Sequence, residues 1–582
     1  MCFPSRIRSA TKKLSPSLAG NTEAKTTALA SWPGKIRPSS KILLAAVLMA
    51  VLLRLALLLW AFRHGMTIDN EGAEYARLAE NLLAGRGYIG MFANGTQLNF
   101  PPLYPLLIAA FSLLLPSVEL AAHLINVAVG AALVVPMFKL AQKIYNRSVA
   151  AVVAIMVAVH PVLVARSALQ AISEVMYLTL LMAGLYYVVL WIDDQKNKTC
   201  ILAGLFFGLA YLTRSEAFLV VGAISFVGLL LAIVVQARRR VLLAVLCMAG
   251  TFVLVASPYV IFLSLKAGRF LVEGKGALVY AQAQKINAGM NHTQAIREIG
   301  DDLSEQGVFM KSNYEALKAA PYTLHGLASL IRHGGARNLS LIYSTISTSQ
   351  LEGAPVLFLL AVIGLVGAAW DRHRLMKEGV LLTTGLAMVL TLLLVPFYWL
   401  RYFYGLMGLL LLWAGKGTEE LNAWSHGAGS DFVSSYPRTV FGFVVQWFAI
   451  FLVMALSCRA VLLQGEFEEL TLTGRKTAGQ WLAARSPRPE RLMGDSLIPA
   501  YYAKADFTYL PFASSNVSLR YISEKRPDFI VLLEFSKQSC PYLTEWFDHG
   551  IPDRRAELIY DQTGRHHERV KIYQWKNAPG QR

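Results

Sequence analysis

Long apolar runs recur along most of this chain and are separated by short polar segments. Four examples are Ile42–Phe62, Leu202–Leu212, Ala217–Val235 and Val241–Leu265. Several of these runs reach the roughly 20 residues that a helix needs to cross a bilayer. They are continuous, whereas the strands of a membrane barrel alternate between polar and apolar residues over about ten positions. The pattern therefore predicts an all-α polytopic membrane protein.

Clusters of basic residues in the short polar segments set the expected orientation. Lysine and arginine are enriched on the cytoplasmic side of membrane proteins. With the clusters inside, about eleven spans result. The outer loops are then 63–102, 160–174, 213–216, 266–354 and 396–402. We interpret the short apolar segment Leu103–Leu115 as interfacial or re-entrant, because a full crossing there would invert every later loop.

The composition changes near both ends of the chain and predicts three regions. Residues 1–40 are basic and rich in Ser, Thr and Pro, which is typical of a disordered cytoplasmic tail. Residues 41–463 form the multi-span module, and residues 464–582 are expected to be a small extracytoplasmic α/β domain. The expected elements of that domain are a helix at Gly474–Ala484 and strands at Asp528–Glu534 and Arg569–Tyr573.

The overall composition excludes several other classes of protein. Of 582 residues, 55% are hydrophobic and 16% are charged, far from the balance of a soluble domain. The net charge of +18 is explained by the orienting basic clusters, so no nucleic-acid partner is expected. The five cysteines are scattered and form no paired spacing, so neither a disulfide framework nor a structural metal site is expected.

The first outer loop holds two acids close to the first span, Asp69 and Glu71, followed by Tyr75. A carboxylate in this position can act as a general base toward an acceptor hydroxyl or amine. Taken alone, either acid could equally solvate the loop and charge the N-terminus of a helix. An amphipathic helix follows at residues 73–83, and its apolar face could lie along the membrane surface.

Other ionisable residues interrupt or border the apolar runs. Glu174 stands where a span begins, and Thr213-Arg-Ser-Glu216 places Arg214 and Glu216 inside an otherwise apolar stretch. Ionisable groups so close to the hydrocarbon region are costly and are candidates for function. Further along, Arg401 and Tyr402 lie in an aromatic cluster, where a guanidinium could bind a phosphate in a bidentate manner.

Taken in order, these motifs resemble a known family of membrane enzymes. They are Asp-x-Glu-x-x-x-Tyr, a helix ending in Gly-x-Gly-Tyr, Phe-Pro-Pro-Leu-Tyr-Pro, an outer Glu before an apolar run, Thr-Arg-x-Glu, and a late Arg-Tyr. Over about residues 40–460 the chain resembles the multi-span glycosyltransferases of the dolichyl-phosphate-mannose protein mannosyltransferase and aminoarabinose transferase type.

The resemblance implies transfer of a hexose or pentose from a polyprenyl-phosphate donor on the outer face of a bacterial inner membrane. The family commonly places an Asp four residues before the Tyr, and Glu71 occupies that position here. Either Glu71 or Asp69 would then be the base. Glu174 would position the acceptor or a cation, and Arg401, with Arg214, would hold the donor phosphate. Tyr75, Glu216 and Tyr402 complete the expected substrate-binding set.

Two other functions fit parts of the same pattern. Intramembrane charge also marks the paths of transporters and lipid flippases, although the inverted repeats common in transporters are not visible here. An O-antigen ligase or polymerase would be a glycosyltransferase of similar build. A divalent cation shared between the phosphate and the acids is compatible with the motifs but not required by them. The sugar, the acceptor, which could be lipid, glycan or protein, and the length of the polyprenol are not specified.

Overall fold

The structure is a computed structural model of the chain. It describes residues 39–92, 95–234, 238–311, 315, 324–347, 354–394, 403–428, 438–463, 473–486, 491–564 and 568–576. The first helices are α1 (Ser39–Arg63), α2 (Asn70–Leu83), α3 (Leu103–Ser112), α4 (Val118–Ala132), α5 (Val134–Ile144), α6 (Arg147–Val159), α7 (Pro161–Leu169) and α8 (Glu174–Asp194). The next are α9 (Asn197–Tyr211), α10 (Ala217–Val234), α11 (Arg238–Ala267), α12 (Lys275–Asn287), α13 (His292–Arg297) and α14 (Leu324–Ser347). The last apolar helices are α15 (Ala354–Val366), α16 (Arg372–Leu394), α17 (Tyr404–Ala428) and α18 (Arg438–Leu463).

The described helices confirm the predicted helical membrane fold. Six helical stretches are long and apolar enough to cross a bilayer: Ser40–Arg63, Val118–Ile144, Glu174–Asp194, Arg238–Ala267, Arg372–Leu393 and Phe441–Arg459. The second of these runs through α4 and α5. A seventh would result if α6 and α7, which meet at a bend of 45°, form one span. Shorter apolar helices, such as α10 and α15, lie between them. The figure of about eleven spans includes such shorter helices and stays a prediction.

Helix α3 is the short apolar segment that the sequence analysis interpreted as interfacial or re-entrant. Its 10 residues rise about 15 Å, which is about half the thickness of a bilayer core. The backbone N–H of Leu103 donates to the carbonyl of Leu212, 2.9 Å away, at the end of α9. The Phe-Pro-Pro motif is thereby attached to the segment that carries Arg214.

Arg54, in the middle of α1, is a buried charge that the sequence analysis did not single out. Its Nε donates to Ser167 Oγ (2.8 Å) on α7, and its Nη1 donates to the carbonyl of Ala158 (3.0 Å) near the end of α6. The last carbonyls of a helix have no partner within that helix, so Arg54 satisfies one of them at the bend. A Cβ at Gly130 would lie 2.7 Å from the Ser167 Cβ and 3.1 Å from Arg54 Nε, so α4 can approach only through a glycine.

The C-terminal part folds as a five-stranded mixed sheet with helices. Its elements are α19 (Thr473–Arg485), β1 (Arg491–Gly494), α20 (Leu497–Ala503), β2 (Asp506–Tyr509), α21 (Ser515–Lys525), β3 (Phe529–Leu533), α22 (Leu543–His549), β4 (Ala556–Thr563) and β5 (Arg569–Trp575). The strand order is β2-β1-β3-β5-β4, with β1 parallel to β2 and β3, and β5 antiparallel to β3 and β4. The predicted helix and both predicted strands are confirmed within two residues at each end, whereas β1, β2 and β4 were not predicted.

Helix α2 is covered on two sides, which corrects the expectation that it lies on the membrane surface. It begins at Asn70 rather than at residue 73, and residues 72–79 are all buried. Its apolar side chains share one core with α3 and α4 below and with α20 of the C-terminal part above. Both Ser496 Oγ and the Leu497 N–H donate to Asn70 Oδ1 at 2.9 Å. The amphipathic pattern of the sequence predicted one apolar face, but it did not predict that α20 packs on the helix as well.

We predict that Arg54→Met destabilises the fold, because it leaves the carbonyls at the α6 bend and the Ser167 hydroxyl without their donor. Each buried polar group left without a partner costs about 1–3 kcal/mol, so thermal unfolding in detergent should occur several degrees earlier. Arg63→Met, at the exposed end of the same helix, is the matched control and should leave the unfolding temperature unchanged. Equal effects of the two changes would contradict the role assigned to Arg54.

Candidate active site

Asp69 precedes α2 and links two of the predicted motifs. Its Oδ1 accepts from the Gly72 N–H at 2.7 Å, which makes it the N-cap of α2. Its Oδ2 accepts from the Ala171 N–H at 2.8 Å, in the segment before Glu174. Burial raises the pKa of Asp69 to about 6, while the two backbone hydrogen bonds act in the opposite direction. Both carboxylate oxygens of Asp69 are therefore engaged by the backbone.

Gly72 permits this close approach between the first outer loop and the segment 170–174. A Cβ at Gly72 would lie 2.7 Å from the Ala171 Cβ and 2.8 Å from Asp69 Oδ2. The segment is also held from the other side, because Asn126 Nδ2 of α4 donates to the carbonyls of Gln170 and Ile172, each at 2.9 Å. The start of α2 and the start of α8 thus form one connected unit.

Tyr75 is buried and packs against this unit. Its hydroxyl donates to Ser173 Oγ at 2.8 Å and lies 3.3 Å from Glu71 Oε1. Burial, with the nearby Glu71 and Glu174 carboxylates, raises the pKa of Tyr75, so the hydroxyl remains a donor. These contacts place the Tyr75 hydroxyl beside Glu71, and the substrate-binding role of Tyr75 stays a prediction from the sequence.

Glu71, like Asp69, is a partly buried acid of the first outer loop. Its side chain is 10% exposed, and its Oε1 lies 4.0 Å from the Lys275 ammonium at the start of α12. The same oxygen lies 3.3 Å from the Tyr75 hydroxyl. The carboxylate is therefore held between a hydroxyl and a cation.

Arg214 is buried between two carboxylates. Its Nη1 lies 2.7 Å from Glu174 Oε1, and its Nε and Nη2 donate to Glu216 at 3.2 and 2.8 Å. Burial alone would lower the pKa of Arg214, but Glu174 and Glu216 more than offset this and hold it above its ordinary value. For Glu216, burial alone would raise the pKa. The charge and hydrogen bonds of Arg214 outweigh burial and hold the pKa of Glu216 below its ordinary value. The three predicted residues are brought together as one ion-paired group.

Glu273 and Lys275 lie next to this group, and the sequence analysis did not identify either of them. Ser215 Oγ donates to Glu273 Oε2 at 2.7 Å, and Lys275 reaches Glu71 from the same segment. Between them, Gly274 packs so closely that a Cβ would lie 1.9 Å from the Leu98 carbonyl oxygen. The signal in the sequence is a lysine between two glycines, Gly274 and Gly276, at the start of a long outer loop.

A cavity of about 430 Å³ opens beside these residues and has one polar and one apolar end. The polar end contains Glu174, Arg214, Ser215, Glu216, Glu273 and Lys275. The apolar walls come from α10, α12, α14, α16 and the start of α17, with Phe218, Leu219, Val279, Leu330, Met388 and Leu392. Its volume lies within the roughly 300–1,000 Å³ typical of small-molecule sites. The shape suits a ligand with a charged head and an apolar tail.

Two parts of the predicted site are not tested by this geometry. Arg401 and Tyr402 lie outside the described residues. Among the residues that are described, no group of three or more His, Cys, Asp or Glu side chains is arranged to hold a metal ion. A shared divalent cation therefore stays an expectation from the sequence.

Comparison with known proteins bears on the family. Residues 99–262 match the profile of the family described as dolichyl-phosphate-mannose-protein mannosyltransferase. The predicted family resemblance is confirmed. The matched range includes Glu174, Arg214 and Glu216 but ends before Lys275 and begins after Glu71. No curated protein sequence is significantly similar to this chain.

Solved structures share the fold at low sequence identity. The Archaeoglobus fulgidus oligosaccharyltransferase in the apo form is 15% identical, with a TM-score of 0.58, over 94% of this chain and 75% of that one. The same enzyme, AglB, with an inhibitory peptide and a dolichol-phosphate has a TM-score of 0.58 at 14% identity, over 93% and 74%. ArnT from Cupriavidus metallidurans bound to undecaprenyl phosphate has a TM-score of 0.51 at 13% identity, over 90% and 97%. The chain is an integral membrane protein with this fold.

Proposed function

We propose that this protein transfers a sugar from a polyprenyl-phosphate-linked donor to an acceptor. The observation that carries the proposal is that Lys275 lines a mostly apolar cavity while its ammonium lies 4.0 Å from the Glu71 carboxylate. The family match and the lipid phosphates bound by AglB and ArnT support the same class of donor. The acceptor is a lipid, a glycan or a protein.

The donor would occupy the cavity with its isoprenoid chain along the apolar walls and its phosphate at Lys275. Lys275 is 28% exposed and shares only the long contact to Glu71 among the ion pairs of the described residues. Arg214 is already paired with two glutamates, so we assign to it the positioning of Glu174 and Glu216 rather than the phosphate itself. Arg401 remains our sequence-based candidate for a second phosphate ligand.

The reaction would be a single displacement with inversion at the anomeric carbon. The acceptor hydroxyl or amine attacks that carbon, and its proton passes to Glu71 acting as general base. The bond between the anomeric carbon and the phosphate oxygen breaks, and its electron pair leaves with the polyprenyl phosphate. Lys275 stabilises the negative charge on the departing phosphate. A carboxylate poised beside a cation serves both halves of this step.

We predict that Glu71→Gln abolishes transfer while the protein still inserts and binds the carrier. Loss of a general base typically lowers turnover by about 100-fold to 10,000-fold. Asp69→Asn should be milder, because an asparagine oxygen can still cap α2, although its NH2 group cannot accept from the Ala171 N–H. The measurement is mass spectrometry of the polyprenyl-phosphate-linked sugars that accumulate in cells expressing each variant. Near-normal turnover in the Glu71 variant, or a larger loss in the Asp69 variant at equal expression, would reverse the assignment.

We predict that Lys275→Ala weakens binding of undecaprenyl phosphate by about tenfold but leaves binding of undecaprenol unchanged. The lysine contributes a charge-assisted contact that only the phosphate can use. Lys275→Arg should retain most of the affinity. Lys266→Ala, an exposed lysine at the end of α11, is the matched control. An equal loss for the phosphate and the alcohol would assign Lys275 a structural role instead.

We further predict that the active site and the C-terminal domain face the outside of the membrane. This orientation follows from the basic clusters between the spans. In a background with all five cysteines replaced by serine, Gln538→Cys should react with a membrane-impermeant maleimide from outside intact cells. Asn197→Cys, at the exposed first residue of α9, should react only after lysis. The opposite pattern would invert the topology and remove the outward-facing site.

A further inference from the structure

A second cavity, of about 330 Å³, lies at the opposite end of α12 from Lys275. We call it the loop cleft. Its lining residues are Ala281, Gln284, Lys285, Ala288, Met290, Gln306, Val308 and Lys311. Ten helical positions separate Lys275 from Lys285, which corresponds to about 15 Å along the axis. The loop cleft is thus a separate place on the same outer loop.

One wall of the loop cleft is a tight turn at residues 298–307. The Gly307 N–H donates to the Glu298 carbonyl at 2.8 Å, and the Gly300 N–H donates to the Ser304 carbonyl at 2.9 Å. A Cβ at Gly307 would lie 2.5 Å from the Ile296 carbonyl oxygen, so only glycine allows this packing. Gln306 and Val308 are therefore presented from a constrained backbone.

The C-terminal sheet braces this wall. The Phe512 N–H donates to the Arg297 carbonyl at 2.8 Å, and Arg297 forms an ion pair with Asp495. Glu305 accepts from the Tyr521 hydroxyl at 2.9 Å and pairs with Lys525 at 2.6 Å. These contacts join the loop to α21 and to the segments that follow β1 and precede α21, and they fix the position of the loop cleft.

The charge of the loop cleft is opposite to that of the first cavity. Among the described residues, the first cavity is lined by three carboxylates and two basic groups, whereas the loop cleft is lined by two lysines and no carboxylate. Lys285 pairs with Glu298 at 3.4 Å, while Lys311 makes no ion pair with any described residue. Gln284 and Gln306 add amide groups that can exchange hydrogen bonds with hydroxyls. Lysine and amide side chains over a small apolar floor suit a sugar that carries a negative charge.

We propose that the loop cleft binds a negatively charged sugar unit of the acceptor, away from the unit that receives the new sugar. The inference rests on the proposed function, since it places an extended acceptor between Glu71 and Lys311. Gln284 Nε2, in the loop cleft, donates to the Tyr280 hydroxyl at 3.1 Å, and Tyr280 lines the first cavity. The two sites are therefore adjacent along α12. A phospholipid headgroup fits less well, because the lining offers few large apolar side chains for acyl chains.

The test uses the purified full chain, glucose 6-phosphate as the anionic probe and glucose as the neutral one. Binding is followed by saturation-transfer NMR. Glucose 6-phosphate should bind measurably better than glucose, and Lys285→Ala combined with Lys311→Ala should weaken it by about tenfold. Lys576→Ala, an exposed lysine at the end of β5, is the control for loss of positive charge and should bind like the parent.

The outcomes separate this proposal from the proposed function. Undecaprenyl phosphate binding should be unchanged in the double variant, and glucose 6-phosphate binding should be unchanged in Glu71→Gln. If the proposed function is wrong, the parent protein should not bind undecaprenyl phosphate but should still bind glucose 6-phosphate in the loop cleft. Three results would overturn the assignment to an anionic sugar. The first is equal binding of glucose 6-phosphate and glucose, and the second is equal affinity for glucose 6-phosphate in the double variant and the Lys576 control. The third is displacement of glucose 6-phosphate by phosphatidylglycerol but not by galacturonate.

Discussion

Burying charge beside the hydrocarbon region is possible only when the charge is paired, and this constraint organises the whole site. Arg214 meets it by contacting Glu174 and Glu216 together. Glu174 begins α8, and Arg214 lies in the turn between α9 and α10, so one ion-paired group fixes the relative positions of three helices. The cavity, whose polar end is this group, exists because the charges hold those helices in register.

The second feature on which the site depends is the double cover of α2. Membrane helices pack on one side of it, and α20 of the C-terminal domain packs on the other. Because Asp69 caps this helix and Glu71 lies in its first turn, the C-terminal domain stabilises the acid that we assign to catalysis. The same domain contacts the turn at 298–307, so it stabilises both the helix that carries Glu71 and the wall of the loop cleft.

Local patterns predicted much of this molecule. The apolar runs gave the helical membrane fold, and the alternation at residues 569–573 gave β5. The unusual positions of Glu174, Arg214 and Glu216 marked them as candidates, and all three line one cavity. Lys275 was missed because a lysine between two glycines is only a weak local signal in a long outer loop. Its importance arises only from the approach of Gly274 to Leu98, which is a contact between distant segments.

The sequence by itself determined that the chain forms apolar helices and which loops carry the acidic and basic residues, because both follow from the order of residues along the chain. Only the tertiary structure decided which distant residue each of the two acids in the first loop contacts. The Asp69 carboxylate accepts from the Ala171 N–H, about a hundred positions away, while the Glu71 carboxylate lies near the Lys275 ammonium. Helix packing sets such long-range pairings, and no periodicity within either segment specifies them.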